Sequence, residues 1–212
     1  MKKLFLFIIL ITITGLSAFS QREIKDGLVI DKQAQKLITD VASKLKTESP
    51  ISFNFTQKSK QSTETGTIKL NANKYTATFL GNTIYCDGKS IFIYQKEINE
   101  VAINSIEDAD NEILNISKFI SEANTKFRPK LIREEKGNYI IDLTPKTKSE
   151  YSKIRLIVSK ISTRISSMEI NYKGGNTYTY TISNYKTKVQ SKDSDYSFNS
   201  KEYPSVNVVD LR

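Results

Sequence analysis

Apolar residues recur along the chain with two different spacings, one typical of helices and the other of strands. A period of three to four residues in Asp31–Leu45 predicts an amphipathic helix with Asp31 as its N-cap, ended by Pro50. The same period returns in Glu107–Ala123 and predicts a second amphipathic helix. Elsewhere the period is two, which is the spacing of residues on one face of a β-strand.

The segments of period two predict a run of short strands. These are Ile51–Gln57, Gly66–Leu70, Tyr75–Leu80, three strands within Thr83–Ile103, Leu131–Glu135, Tyr139–Leu143, Ile154–Val158, Ile165–Asn171 and Thr177–Lys186. An extended tail follows, with segments at Tyr196–Phe198 and Val206–Leu211. So many consecutive strands must curl to hide an apolar face. The predicted fold is mainly β with α: an incomplete antiparallel β-barrel, that is a strongly curved sheet, covered by the two amphipathic helices.

The segment Thr83–Ile103 holds three strands and no reactive group. Asp87-Gly88 predicts a type I′ hairpin turn, in which both central residues have a positive φ. Cys86 is the single cysteine, so it forms no internal disulfide, and its apolar strand indicates a small buried hydrophobic residue. An apolar sheet of this kind favours a protein that holds an apolar ligand over one that transforms a substrate.

The N-terminus predicts export from the cytoplasm. Lys2 and Lys3 precede the apolar run Leu4–Ile13, and small residues then lead to a cleavage site at Ser20/Gln21. Residues 1–20 are therefore predicted to be a cleaved signal peptide, and residues 21–212 a single domain. No cysteine follows the cleavage site, so acylation of the mature N-terminus is not expected.

The charge of the chain indicates a basic surface without a nucleic-acid site. The formal net charge of +9 falls by two, to +7, when Lys2 and Lys3 are removed. Acidic residues are interspersed among the basic ones, and no stripe of basic and aromatic residues is present. A nucleic-acid partner is therefore not expected, and the mature chain is expected to be a monomer.

The sequence contains no recognisable catalytic equipment. It has no histidine and no nucleophile elbow, so we predict no catalytic residue, no metal, no cofactor and no enzyme activity. The densest acidic group, Glu107, Asp108, Asp110 and Glu112, is typical of a helix start, where acidic residues complement the helix dipole.

Apolar surface is what remains as a candidate site. The predicted concave face consists of Phe53, Phe55, Ile68, Leu70, Tyr75, Phe79, Phe92 and Tyr94. The predicted helical lid over it consists of Leu37, Ile38, Val41, Ile113, Ile116, Phe119 and Ile120. The same residues could instead form a filled core, since periodicity does not report empty volume.

The order of these segments resembles the LolA family of periplasmic carriers of outer-membrane lipoproteins. The collinear motifs are Ile51–Gln57, Gly66–Leu70, the Asp-Gly-Lys hairpin in Thr83–Tyr94, Tyr139–Lys146 ending in Thr-Pro-Lys, Met168–Thr187 and Tyr196–Asp210. Family members often carry an arginine and a proline where this chain has Asn71-Ala72-Asn73, and that arginine helps to hold the lid.

The resemblance implies a periplasmic carrier. Its apolar cavity would take the acyl chains of lipoproteins, collected from an inner-membrane ABC transporter and delivered to an outer-membrane receptor. Two alternatives stay open: a carrier or sensor of another lipid on the same scaffold, and a non-catalytic envelope interaction protein with a filled barrel.

Overall fold

The fold is a large curved sheet covered on one face by two helices. A computed structural model describes residues 22–25, 28–106 and 115–212 of the chain. The signal peptide predicted at residues 1–20, the acidic group at 107–112 and the lid residue Ile113 lie outside these described residues.

Fourteen strands and two helices make up the described part. Their bounds are β1 Arg22–Lys25, β2 Leu28–Asp31, α1 Lys32–Glu48, β3 Ile51–Lys58, β4 Thr63–Asn71, β5 Lys74–Phe79, β6 Asn82–Cys86, β7 Ser90–Gln95, β8 Glu100–Ser105, α2 Ile116–Lys126, β9 Phe127–Glu135, β10 Asn138–Pro145, β11 Tyr151–Ser159, β12 Ile165–Tyr172, β13 Thr177–Thr187 and β14 Asn207–Asp210.

Twelve of the strands form one open sheet. Their order is β14-β8-β7-β6-β5-β4-β3-β13-β12-β11-β10-β9, and every pair is antiparallel except β14 with β8. The end strands β14 and β9 are not neighbours, so the sheet curls without closing. This confirms the predicted incomplete antiparallel barrel. The hairpin of β1 and β2, which the sequence analysis did not predict, stands as a separate two-stranded sheet.

The predicted strands are present, and the differences lie at turns and ends. The helix after Asp31 runs three residues beyond its predicted end, to Glu48. The prediction of a type I′ turn at Asp87-Gly88 is wrong, because of these two residues only Gly88 has a positive φ. The Asp87 carboxylate instead accepts bonds from the backbone N–H groups of Lys89 and Ser90, both at 2.8 Å, which holds a three-residue loop.

The C-terminal tail crosses the outer face of the sheet. Tyr196, predicted to be extended, ends a short 3₁₀ turn and is fully buried. Lys69 and Lys74 on β4 and β5 form ion pairs with Asp195 and Asp193 of that turn. The tail therefore covers the sheet from outside before β14 pairs with β8.

Asp31 joins the first helix to the far edge of the sheet. One of its carboxylate oxygens accepts a bond of 2.9 Å from the backbone N–H of Ala34, as predicted for an N-cap. The other accepts a bond of 3.0 Å from the backbone N–H of Leu131 on β9. The side chain is buried, so both donors would be left without a partner if the carboxylate were removed.

We expect Asp31→Ala to lower the free energy of unfolding by roughly 2–4 kcal/mol, since it removes a helix cap and leaves a buried donor unpaired. Asp31→Asn keeps an oxygen for Ala34 but cannot offer a second acceptor to Leu131, so a smaller loss is expected. Urea unfolding followed by circular dichroism measures both. Equal stability of wild type and Asp31→Ala would contradict this role of Asp31.

Candidate ligand-binding face

Strand register places three apolar rows across the inner face of the sheet. In the first row Ile51, Leu70, Tyr75, Cys86 and Ile91 are successive cross-strand partners. The middle row runs through Phe53, Ile68, Ala77, Ile84 and Ile93 in the same way. Because residues on one face alternate along a strand, these rows form one continuous apolar surface.

The third row depends on a glycine. Phe55, Gly66 and Phe79 are cross-strand partners, and the Phe55 and Phe79 rings lie 5.3 Å apart. A Cβ atom on Gly66 would lie 2.3 Å from the Phe55 ring and 2.7 Å from the Thr78 carbonyl oxygen. The Phe55 ring therefore occupies the space that a side chain at position 66 would need.

Most of the predicted concave-face residues lie on this inner face. Phe53, Phe55, Ile68, Leu70 and Tyr75 are buried there, and Phe79 lies half-buried at its end.

Phe92 and Tyr94 do not lie on the inner face. Ile91 and Ile93 take the inward positions of β7, so the residues that alternate with them point outward. On the outer face the Phe198 ring of the tail lies 6.2 Å from Phe92 and 5.9 Å from Tyr94. The prediction that Phe92 and Tyr94 belong to the concave face is therefore wrong. Their rings lie on the outer face and contact the C-terminal tail.

The two helices lie on the inner face and on each other. Among the predicted lid residues, Ile38, Val41, Ile116, Phe119 and Ile120 are buried, and Leu37 is partly buried. The second half of this core was not among the predicted site residues, although its strands show the same period of two. That half consists of Ile141, Leu143, Ile154, Leu156, Met168 and Ile170.

The helices lie close against the sheet at the end of α1. The pocket bounded by Leu45, Phe53, Ile116 and Ile182 holds about 10 Å³, which is about the volume that one water needs. At this point the inner face is filled by side chains of the helices.

A larger cleft opens between the helices and the turn after β4. It measures about 650 Å³, and its lining is mostly small or polar. The lining includes Ser43, Lys46, Asn71, Asn73, Ser117, Lys118 and Ser121.

The turn Asn71-Ala72-Asn73 binds both helices. The Ser49 hydroxyl, just after α1, donates to the Asn71 side-chain oxygen at 3.1 Å. The amide of Asn115, the N-cap of α2, donates to the Asn73 carbonyl oxygen at 3.1 Å. The backbone N–H of Ala72 also donates to the Ser49 hydroxyl at 3.3 Å. Three neutral hydrogen bonds therefore hold the helices at the position where family members often carry an arginine.

An ion pair fixes the end of α1 to the other half of the sheet. Arg164 donates to both carboxylate oxygens of Glu48, with a shortest distance of 2.7 Å. Burial by itself would raise the pKa of the Glu48 carboxyl, but hydrogen bonds from Arg164 and Lys44 outweigh it and lower that pKa below 4.5. The Arg164 guanidinium also lies 4.6 Å from the centre of the Tyr185 ring.

The Cys86 side chain is buried on the inner face of the sheet. Burial raises the pKa of the Cys86 thiol, whose sulfur lies 3.6 Å from the Asn73 carbonyl oxygen. Within the described ranges no group of three or more acidic, histidine or cysteine side chains could hold a metal ion. No helix of the described part is both long and apolar enough to cross a membrane.

Solved structures share this fold at low sequence identity. An uncharacterised conserved protein from Thermus thermophilus is 14% identical with a TM-score of 0.57; the match covers 84% of this chain and 99% of that one. MucB is 14% identical with a TM-score of 0.54; the match covers 84% of this chain and 66% of MucB. A LolA-superfamily protein from Nitrosomonas europaea is 13% identical with a TM-score of 0.45, covering 78% and 97%. No curated protein matches the sequence significantly.

The first two likenesses define the class by its fold: an open, curved sheet with helices on its inner face. The sequence profile described as "Outer membrane lipoprotein carrier protein LolA" matches residues 43–199. The chain therefore belongs to the LolA family, as the order of its motifs indicated.

The hydrogen bond from Asn115 to the turn can be tested apart from its role as a helix cap. Asn115→Asp keeps an oxygen for the Lys118 N–H but cannot donate to Asn73, so we expect faster hydrogen exchange of the α2 amides. Asn115→Ala loses the bonds to both Asn73 and Lys118, so the α2 amides of this variant should exchange faster still. Asn138→Asp, which loses a similar bond in a remote turn, is the control. Unchanged exchange in Asn115→Asp would contradict this role.

Glu48 should contribute to the pH dependence of stability. Folding lowers the pKa of the Glu48 carboxyl, so the ionised group adds to the free energy of unfolding. This stabilisation is complete above the pKa that Glu48 has in the unfolded state, and it is lost as the pH falls through the lower pKa of the folded state. Urea unfolding of wild type between about pH 5 and about pH 3 should show this loss, and Glu48→Gln should show a shallower decline. Glu97→Gln, at an exposed position, is the control and should follow wild type. Identical slopes for Glu48→Gln and wild type would refute the assignment.

Proposed function

We propose that this protein is a non-catalytic carrier that binds the acyl chains of lipoproteins on its inner face. The observation that supports it is the continuous apolar face of an open sheet, covered by helices that contact it through side chains. Fatty acyl chains need such a surface, since each buried methylene is worth about 0.8 kcal/mol. No residue of either helix takes part in strand pairing, so the pairing of the strands does not depend on where the helices lie.

A buried hydroxyl group on the same face also fits an acylated ligand. Tyr75 is fully buried, and its hydroxyl has no hydrogen-bond partner in the described structure. An unpaired buried hydroxyl costs about 1–3 kcal/mol. The ester carbonyl of a lipid that enters beneath the helices would supply the missing acceptor.

The family and the predicted signal peptide support a cellular role in lipoprotein transport. We propose that the exported chain works in the periplasm, receives lipoproteins from an inner-membrane ABC transporter and passes them to an outer-membrane receptor. A second candidate is a non-catalytic envelope interaction protein, and the nearly filled space beside Phe53 and Ile116 favours it. A carrier or sensor of another lipid would use the same inner face.

Two measurements separate these functions. Residues 21–212 are incubated with inner-membrane vesicles that hold the exporter, ATP and a lipoprotein with radiolabelled acyl chains. A carrier releases the lipoprotein as a soluble complex. Direct binding of S-diacylglyceryl-cysteine amide is then measured by calorimetry. If a folded chain neither releases lipoprotein nor binds this probe, the carrier function is wrong and the interaction protein is favoured.

A charge on the inner face should abolish this binding. Ile93 is half-buried among the inward residues, so Ile93→Glu should fold and weaken binding of S-diacylglyceryl-cysteine amide by more than about tenfold. Thr78→Glu places the same charge on the exposed outer face and should bind as wild type does. Wild-type affinity in Ile93→Glu would place the ligand elsewhere.

A further inference from the structure

A second cleft lies at the end of the inner face where Phe79 is found. It measures about 620 Å³, and no residue of either helix lines it. We call it the tyrosine cleft; its walls are Gln57, Phe79, Tyr172, Tyr178 and Tyr180, and its rim is Leu80, Glu150, Lys173, Gly174 and Asn176. A ligand can reach it while both helices stay in place.

Strand register turns the cleft aromatics toward the same side as the apolar rows. Tyr178 and Tyr180 on β13 are the partners of Ile170 and Met168 on β12, which belong to the core. The Phe55 ring lies 6.0 Å from the Tyr180 ring and 5.3 Å from the Phe79 ring. The cleft is therefore the open continuation of the surface beneath the helices.

The cleft walls combine ring faces with hydrogen-bonding groups. The Tyr172 and Tyr178 rings meet edge to face at 5.7 Å. The Gln57 amide donates to the Tyr180 hydroxyl at 2.6 Å, which leaves the hydroxyl hydrogen available to donate. Burial raises the pKa of Tyr172 to about 12, so this hydroxyl is protonated and can donate at neutral pH.

The rim of the cleft is exposed and, apart from Leu80, polar. The Glu150 carbonyl oxygen accepts a bond of 2.8 Å from the backbone N–H of Lys173, which joins the start of β11 to the turn after β12. Lys173, Gly174 and Asn176 are exposed. An acyl chain gains nothing from such groups, whereas a peptide backbone offers an N–H and a C=O at each residue to pair with them.

We propose that the tyrosine cleft binds the polypeptide segment that follows the lipid-bearing cysteine of the cargo. This inference rests on the proposed carrier function, with the acyl chains beneath the helices. The polypeptide must leave that apolar space through an opening, and the cleft continues the same face into solvent. Tyrosines suit this task because they offer a large rigid contact area and a hydroxyl at a low entropic cost.

The experiment compares two probes on the full mature chain by calorimetry. One probe is S-diacylglyceryl-cysteine amide, and the other is the same lipid on cysteine followed by Ser-Asn-Ser-Gly. We expect wild type to bind the lipopeptide more tightly. Tyr178→Ala should weaken lipopeptide binding by about tenfold and leave binding of the amide unchanged. Tyr139→Ala, a half-buried tyrosine on β10 outside the cleft, should bind both probes as wild type does.

The remaining outcomes separate the two proposals. If wild type binds both probes equally, or if Tyr178→Ala weakens neither, the cleft does not bind the peptide. If Tyr178→Ala weakens both probes to the same extent, the cleft takes an acyl chain and the peptide assignment is overturned. If wild type binds neither probe, the carrier function itself fails. Circular dichroism and urea unfolding of each variant establish that it is folded.

Discussion

The apolar inner face of an open sheet is the constraint on which the rest of this structure depends. Since β14 and β9 do not pair, the sheet cannot enclose that face by itself. The two helices exclude water from it and contribute their apolar stripes to the core, while the C-terminal tail covers part of the outer face. Strand pairing therefore sets the shape, and the helices decide whether the inner face is open or closed.

The attachments of the helices differ in strength along the fold. Near β9 and β12 they use the buried carboxylates of α1 and its cap, with Asp31 bonded to the backbone N–H of Leu131 and Glu48 bonded to the partly exposed Arg164. At the Asn71-Ala72-Asn73 turn they are three neutral hydrogen bonds, each worth about 0.5–1.5 kcal/mol. A helical cover attached in this way separates most easily at the turn, so the proposed ligand would enter between the helices and the first half of the sheet. The tyrosine cleft needs no such movement.

Most elements could be predicted because each strand alternates and each helix has its own apolar stripe. The side of the sheet on which Phe92 and Tyr94 lie could not be predicted from the sequence. Both faces of β7 are apolar, so the alternation does not say which face of the strand is turned toward the helices. The pairing of Ile93 with Ile84, which belongs to the core, and the position of the tail decided it. The turn at Asp87 differed for a local reason, namely that its carboxylate bonds to two backbone N–H groups.

The sequence by itself determined the succession of strands from β3 onward, the helix start at Asp31, the family and the lack of histidine, because these depend on short-range pattern and residue identity. The tertiary structure decided which face is inside, how the helices are held and where the tyrosines gather. Tyr172, Tyr178 and Tyr180 lie on two strands, and they meet Gln57 and Phe79 only because β13 pairs with β3 across more than a hundred residues of chain. Contacts between residues so distant in sequence leave no periodic signal, and only the pairing of strands in the folded sheet brings them into one cleft.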